Sequence, residues 1–319
     1  MKPPYIITDK ILALIASVSE KIGEINANHL YKPTTELRKK NRIKTIQSSL
    51  EIEGNTLTEE QITALLENKR IIAPAKDILE VQNAIEVYKD LRYFNPYKIK
   101  DLELAHSILM KGLVDSLGKF RTTNVGIVKG SKVEHLAPSG AVVKGLMNDL
   151  FSYLKNDKDL ILIKSCVFHY EFEFIHPFID GNGRMGRLWQ TLILMQQYPV
   201  FEYLPVESLI KENQKEYYNK LSESDKMGQS TPFFEFMLAI ILQSLEQVLQ
   251  SQNINLSTKD RIFLFKEKIG EKKFSRKDYL QNFKNISAPT ACRDLKWAVD
   301  ENILMKSGEQ RLTEYRFSK

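Results

Sequence analysis

Cysteine is scarce in this sequence: the 319 residues include two, Cys166 and Cys292, which lie far apart along the chain. So few thiols exclude a disulfide-rich scaffold, and each cysteine sits in an apolar helical pattern where we expect a small buried hydrophobe. No run approaches the ~18 apolar residues that span a bilayer, and the first residues lack a signal-peptide pattern. We therefore expect a cytoplasmic protein without a membrane partner.

The sequence also lacks the common sequence motifs of nucleotide-binding and phosphate-transferring enzymes. There is no GxxxxGK[ST] loop, and the kinase signatures HRD and DFG do not occur. A basic excess is absent from most of the chain as well, since residues 1–258 hold 31 basic and 31 acidic side chains. The net charge of +6 belongs to residues 259–319, which favours nucleic-acid contact there, with a solvated surface as the alternative.

Helical periodicity dominates what is present, as in the apolar stripe Ile43, Ile46 and Leu50. The exception lies near residues 121–140, where alternation around a turn at Gly130 predicts a short β-hairpin. A polar stretch at 251–258 ends in a helix-capping signal and predicts a domain boundary. We predict a mainly α fold with segments 1–95, 96–250 and 256–319.

The last segment predicts a winged helix-turn-helix, with three helices followed by two short strands. Ser275 and Ser287 can cap the second and third helices, and the strands turn at 307–308. One interpretation is DNA binding through Thr290, Arg293 and Lys296, with a wing at 306–311. The other is a protein-protein or dimer module.

The stretch HPFIDGNGRMGR, residues 176–187, interrupts two apolar helical segments and predicts a loop followed by a helix N-terminus. Unpaired N–H groups and the helix dipole make such a terminus an anion cradle, which the loop glycines leave accessible. Arg184 and Arg187 project from one face and suit a polyphosphate. Asp180 suits Mg²⁺, and His176 can accept a proton near neutral pH. His169, upstream, is predicted to be a structural helix residue.

A second candidate site is SSLEIEGN, residues 48–55, at the predicted end of a helix. Glu51 and Glu53 occupy the last turn, where the helix dipole disfavours anions by ~0.3 to 1 kcal/mol. Another group should therefore compensate their charge. Ser49 and Glu53 lie four residues apart, on one face of the helix.

These stretches resemble the Fic family. HPFIDGNGRMGR matches the pattern HPFx[DE]GNGRxxR, GKFRTTNVGIVKG followed by APSG resembles the family's flap hairpin, and SSLEIEGN fits the inhibitory motif [ST]xxxE[GN]. The resemblance covers roughly residues 5–245. It implies a Fic-type helical bundle with a small hairpin flap, to which the winged helix-turn-helix is appended.

The resemblance implies transfer of AMP from ATP to a Ser, Thr or Tyr hydroxyl of a protein, with Mg²⁺ as cofactor. His176 would be the general base, Asp180 the Mg²⁺ ligand, and Glu53 an inhibitor that pairs with Arg187. Phe178 would pack the loop into the core. The residues implied to bind ATP are Asp180, Gly181, Asn182, Gly183, Arg184, Gly186, Arg187, Tyr217, Tyr218 and the flap residues Ile127, Val128, Lys129 and Gly130; the inhibitory set is Ser49, Glu53 and Gly54.

We therefore expect a protein adenylyltransferase that is inhibited by its own Glu53 and can modify itself. One alternative is a relative that removes AMP or transfers another phosphate-containing group. Another is a DNA-bound regulator that senses nucleotides. The expected partners are ATP, a target protein, a second copy of the chain in a homodimer, and DNA at the winged helix.

Overall fold

The structure, a computed structural model, describes residues 2–27, 35–129, 132–254, 257–270, 272–283, 286–308 and 313–318. The side chains of 126–136 and 251–254 lie outside this description. The chain divides into two compact units, Met1–Glu246 and Gln247–Lys319. The predicted segments 1–95 and 96–250 both begin in the first unit. The helix Thr231–Ile254 starts in this unit and continues past its boundary at Glu246.

The mainly α class predicted from the sequence is confirmed, with 14 α-helices in the described ranges. The helices of the first unit are α1 (Asp9–Ala27), α2 (Thr35–Ile52), α3 (Glu59–Leu66), α4 (Ala75–Lys89), α5 (Ile99–Leu109), α6 (Gly140–Asn156), α7 (Ile161–Ile175), α8 (Asn182–Met195), α9 (Val206–Glu212), α10 (Gln214–Met227) and α11 (Thr231–Ile254). Its strands are β1 (Gly126–Lys129) and β2 (Lys132–Leu136). Two short 3-10 turns lie at Leu91–Tyr93 and Pro199–Tyr203.

The first unit is built around α7 and α8, which pack against each other. Helix α7 is apolar on nearly all sides, as expected of a helix with no face toward solvent, and Cys166, Val167, Phe168 and Phe172 are fully buried. Helices α6 and α2 pack on this pair, and α9 packs on α2. The segment between α7 and α8 is therefore held at both ends by buried helices.

The predicted hairpin is present as β1 and β2, which pair antiparallel. Gly126 lies opposite Leu136 and Lys129 opposite Lys132, with an irregularity in the register between Ile127 and Val128. The predicted turn residue Gly130 lies outside the described residues.

Helix α11 corrects one expectation from the sequence. Its segment Thr231–Gln250 is long and apolar enough to cross a membrane by length and composition, whereas we predicted that no run comes close. Yet 56% of this segment is buried inside the protein, and Phe233, Phe234 and Met237 are fully buried. Its apolar side chains are therefore largely engaged by protein contacts.

The second unit contains α12 (Thr258–Ile269), α13 (Arg276–Asn282) and α14 (Ala288–Asp300), followed by β3 (Leu304–Ser307) and β4 (Glu314–Phe317). The two strands pair antiparallel, and Phe274 adds a bridge to Tyr315. The predicted caps are present, since the side chains of Ser257, Ser275 and Ser287 each accept a backbone N–H. This is the element order predicted for a winged helix; residues 309–311 of the predicted wing lie outside the described part.

The prediction that both cysteines are buried is half wrong. Cys166 is fully buried, but Cys292 is exposed on α14, and its sulfur accepts a hydrogen bond from Arg276 at 3.1 Å. Helical spacing gave the wrong face here, because the buried face of α14 is formed by Ala291, Leu295 and Ala298.

Two glycines of α6 differ in the space around them. A Cβ on Gly140 would lie 2.2 Å from the backbone oxygen of Thr122, whereas a Cβ on Gly145 would meet nothing within 4 Å. We expect Gly140→Ala to lower the free energy of unfolding by about 1–3 kcal/mol through overpacking. Gly145→Ala, the matched control, should raise it by up to about 1 kcal/mol, because alanine favours helix.

Urea unfolding of both variants measures this difference. Equal effects of the two substitutions would contradict the close contact at the start of α6.

His169 of α7 is a fully buried histidine. Its Nδ1 lies 2.7 Å from Gln190 Oε1 and its Nε2 lies 3.0 Å from the Tyr217 hydroxyl. An amide oxygen can only accept, so Nδ1 carries the proton and Nε2 accepts from the tyrosine. This agrees with the structural role predicted for His169.

Burial lowers the pKa of His169 from 6.5 to about 3. The unfolded chain therefore binds a proton below pH 6.5 that the folded chain does not, so this group lowers stability as the pH falls from 6.5 toward 3. We expect His169→Gln to remove that term, which amounts to about 1.4 kcal/mol per pH unit inside the window. Urea unfolding at pH 7, 6 and 5 measures the free energy of unfolding of wild type and variant. Plotted against pH, the two free energies should converge or cross as the pH falls. A constant difference between them would contradict a neutral buried His169.

Candidate functional site

The motif loop between α7 and α8 contains two left-handed residues. His176 ends α7 with φ 49° and ψ 61°, and Gly181 precedes α8 with φ 82°. A left-handed histidine is uncommon, whereas glycine adopts this region without strain. The two residues reverse the chain within six positions and place His176 beside the first turn of α8.

The side chain of Asn182 closes this loop. Its Oδ1 accepts from Phe178 N and its Nδ2 donates to Phe178 O, both at 2.9 Å. Asn182 is only 2% exposed, so its side chain is committed to the loop. Within the predicted phosphate site, Asn182 can therefore offer its backbone N–H, while the amide side chain has a structural role that the sequence did not reveal.

Phe178 and His106 support the loop from below. Phe178 is fully buried and stacks on the His106 ring at a centroid distance of 3.7 Å. His106 Nδ1 accepts from Gly118 N at 3.0 Å, so its Nε2 carries the proton and donates to Asp180 O at 3.0 Å. Burial lowers the pKa of His106, which favours this neutral form. Sequence analysis missed His106, since a single histidine in a helix carries no motif.

The first turn of α8 forms the predicted cradle, and Glu53 lies over it. A Cβ on Gly183 would lie 2.4 Å from Glu53 Oε1 and 3.1 Å from Arg187 Nη1. A larger residue at Gly183 would therefore collide with the carboxylate. Since the first N–H groups of a helix attract anions, a carboxylate occupies the place where a phosphate would be favoured.

Gly186 is required for a different reason. A Cβ there would lie 3.0 Å from Glu173 Oε1 and 3.1 Å from the His169 ring. Gly186 thus allows α7 and α8 to approach closely, which gives this residue a packing role.

Arg187 is 2% exposed and is bound by Glu53, its predicted partner, and by Ser49 of the same motif. Its Nη2 donates to Glu53 Oε1 at 2.7 Å and to Ser49 O at 3.0 Å, and its Nε donates to Ser49 Oγ at 3.2 Å. Burial alone would lower the pKa of Arg187, but Glu53 reverses this and raises it. Gly54 follows Glu53 with φ 93° and lets the chain leave α2. The compensation expected for Glu53 at the end of α2 is this buried guanidinium.

Arg184 faces a different carboxylate pair. Its Nη1 lies 3.3 Å from Glu80 Oε1 and its Nη2 lies 3.2 Å from Asp180 Oδ1. Its side chain is 5% exposed, whereas that of Asp180 is 55% exposed. Arg187 is therefore bound at the end of α2, whereas Arg184 is bound by Glu80 of α4. Glu80 was not predicted, since nothing in the sequence connects α4 with the motif.

One pocket brings six of the predicted residues together. It is lined by Glu53, His176, Gly183, Arg187, Tyr217 and Tyr218 from the predicted set, and by Glu173, Phe174, Leu221, Ser222 and Asp225. The last three repeat at helical spacing along α10 from Tyr218, a signal that could have revealed them. The side chains of Ile127, Val128 and Lys129, and all of Gly130, lie outside the described residues.

Asp180 is the predicted Mg²⁺ ligand, and its exposed carboxylate lies just before the first turn of α8. No cluster of three or more His, Cys, Asp or Glu side chains suited to a metal occurs in the described ranges. Mg²⁺, however, is commonly held by one or two carboxylates together with substrate phosphates and water. The exposed carboxylate of Asp180, beside the helix terminus, meets that requirement, so binding would depend on the nucleotide.

Comparison with known proteins shows which proteins this chain resembles. Residues 96–194 match the model of the Fic/DOC family. "Protein adenylyltransferase Fic" of Nematostella vectensis is 27% identical over 262 residues, which cover 77% of this chain and 58% of that protein. "Protein adenylyltransferase fic-1" of Caenorhabditis elegans is 30% identical over 205 residues, covering 60% of this chain and 38% of that protein. The chain thus spans 58% or less of these two curated relatives.

A solved structure matches over the full length. The crystal structure of a Fic family protein from Desulfovibrio desulfuricans G20 is 39% identical, with a TM-score of 0.77, and the match covers 100% of this chain and 98% of that one. With this likeness along the whole chain, and with the motif arranged around one pocket, the chain belongs to the Fic family.

Proposed function

We propose that the chain is a protein adenylyltransferase that transfers AMP from ATP to a Ser, Thr or Tyr hydroxyl of a protein, including itself. The observation that carries the proposal is that His176, the Gly183 cradle and Arg187 line one pocket. The relatives named as protein adenylyltransferases support the same reaction.

Each of these residues has a separate role in the reaction. His176 accepts the proton of the target hydroxyl while the hydroxyl oxygen attacks the α-phosphorus of ATP, and pyrophosphate leaves. Phosphoryl chemistry of this kind depends on positioning and on stabilising negative charge. The first-turn N–H groups of α8 and the guanidinium of Arg187 provide this stabilisation, with Arg184 beside them.

Asp180 would hold the Mg²⁺, which when bound neutralises charge on the phosphates. The bond from Gly181 N to Asp180 Oδ1 and the contact with Arg184 keep the carboxylate oriented. His106 fixes the backbone of the same residue from the opposite side.

Glu53 is proposed to hold the enzyme in a resting state. Its Oε1 lies over Gly183 and pairs with Arg187, so a triphosphate and Glu53 compete for one cradle and one guanidinium. Withdrawal of α2, or removal of the carboxylate, would release both. The cytoplasmic location and the homodimer stay predictions from the sequence.

We expect Glu53→Gly to raise self-labelling by α-labelled ATP with Mg²⁺ by about tenfold to a hundredfold, because it removes a charge-assisted bond worth about 1.5–3 kcal/mol. Glu51→Gly is the matched control: it removes the same charge from the end of α2, but Glu51 contacts Gln47 and Lys211. That control should stay near wild type. His176→Ala in the Glu53→Gly background should lower labelling by about 10² to 10⁴-fold.

Equal gains for the Glu51 and Glu53 variants would contradict the inhibitory role of Glu53. Labelling by γ-labelled ATP alone would contradict AMP transfer and indicate phosphorylation. Loss of AMP from a labelled protein in the presence of wild type, without new labelling, would favour AMP removal.

A second candidate function, DNA binding, concerns the second unit taken by itself. Arg293 and Lys296 are exposed on α14, and Thr290 at its start is partly exposed. Asp294, on the opposite face, is fully buried and paired with Arg261 at 2.6 Å. The outward face of the predicted recognition helix therefore carries Arg293 and Lys296, while Asp294 is neutralised inside and the exposed Asp300 lies at the far end of the helix, which supports phosphate contact.

We expect the full chain to bind duplex DNA with an affinity that falls steeply with salt. Arg293→Ala with Lys296→Ala should weaken binding and reduce the slope of log K against log salt by about 2, if each contacts one phosphate. Lys268→Ala with Lys272→Ala, the same charge loss outside α14, should change the slope less. Binding that is negligible at low salt would contradict the DNA interpretation and favour a protein-protein module.

A further inference from the structure

Arg121 precedes the hairpin, and no role was predicted for it. Its side chain is buried, at 3% exposure. The guanidinium donates to four carbonyl oxygens: Nε to His176 at 2.7 Å, Nη1 to Thr123 at 2.7 Å, and Nη2 to Pro138 at 2.8 Å and Ile175 at 3.0 Å. Among the described contacts of Arg121, every hydrogen bond is to a backbone carbonyl and none is to a carboxylate.

Two of these acceptors belong to the end of α7. The last carbonyls of a helix lack partners within the helix and carry the negative end of its dipole, so a buried cation there is stabilised without a carboxylate. The backbone N–H of Arg121 also donates to Pro177 O at 2.8 Å. A single residue therefore binds three successive carbonyls, of Ile175, His176 and Pro177. The left-handed backbone of His176 is held from this side, as such conformations require.

The other two acceptors flank the hairpin. Thr123 lies just before β1, and Pro138 lies just after β2. One planar guanidinium thus connects both roots of the hairpin to the carbonyl of the proposed base. Its donors form a fixed fork, which a lysine ammonium does not reproduce.

We propose that Arg121 is a positioning residue that fixes the His176 backbone relative to both roots of the hairpin and so keeps the proposed base in place for proton transfer. This inference rests on the proposed adenylyltransferase function. The cradle of α8 has separate supports, the Asn182 side chain and His106. Loss of Arg121 should therefore slow transfer more than it weakens nucleotide binding, because the phosphate cradle keeps these supports while the hairpin loses its anchor.

The test compares Arg121→Met and Arg121→Lys in the Glu53→Gly background. We expect Arg121→Met to lower kcat for self-labelling by about 100-fold, as a misplacement of about 1 Å can, with a much smaller change in KM for ATP and in the ATP-induced rise in Tm. Arg121→Lys, which keeps the charge and some of the bonds, should recover part of this loss. Lys164→Met is the matched control, because Lys164 is a buried cation of α7 that donates to Leu154 O at 3.0 Å; its labelling should stay near that of the parent.

Amide hydrogen exchange supplies a readout that is independent of activity. Residues 122–125 and 137–140 should exchange faster in Arg121→Met than in the parent, and not in Lys164→Met. Labelling of Arg121→Met within threefold of the parent would overturn the proposal. So would a loss of both kcat and the ATP-induced rise in Tm in Arg121→Met and Lys164→Met alike. If the Glu53→Gly parent is not labelled at all, the adenylyltransferase function fails, and unchanged exchange at both hairpin roots then overturns the positioning role as well.

Discussion

The buried guanidinium of Arg187 is the constraint around which the first unit is organised. A charge that is 2% exposed requires a partner, and α2 supplies it through Ser49 and Glu53. This pairing fixes the end of α2 over the first turn of α8, so the partner of the charge also covers the anion cradle. The interaction that stabilises the buried charge therefore also places the Glu53 carboxylate over the cradle.

Neighbouring residues stabilise the conformation of that cradle through backbone hydrogen bonds and packing. Asn182 closes the loop, His106 holds the carbonyl of Asp180, and Gly186 allows α7 and α8 to approach. Each of these residues satisfies a backbone or packing requirement. Within the motif, His176, Gly183 and Arg187 are left to line the pocket, together with residues of α7 and α10.

Patterns in the sequence predicted elements well where local chemistry decides them. The caps at Ser257, Ser275 and Ser287 are formed, because a hydroxyl three residues before a backbone N–H needs no distant partner. The same reasoning gave the wrong environment for Cys292, since periodicity places residues on a face but does not say which face is covered. The structure adds a loop-closing role for the Asn182 side chain and a packing role for Gly186, whose predicted nucleotide contacts stay predictions.

The sequence by itself determined the helical class, the hairpin, the loop at 176–181 and, through its motifs, the family. Only the tertiary structure decided which distant groups meet. Glu53 and Arg187 are 134 positions apart, Glu80 and Arg184 are 104, and Arg121 reaches Ile175 across 54. Local periodicity contains no information on such pairings, because they depend on how α2, α4 and the hairpin roots pack around α7 and α8, where burial obliges each charge and each carbonyl to find a partner.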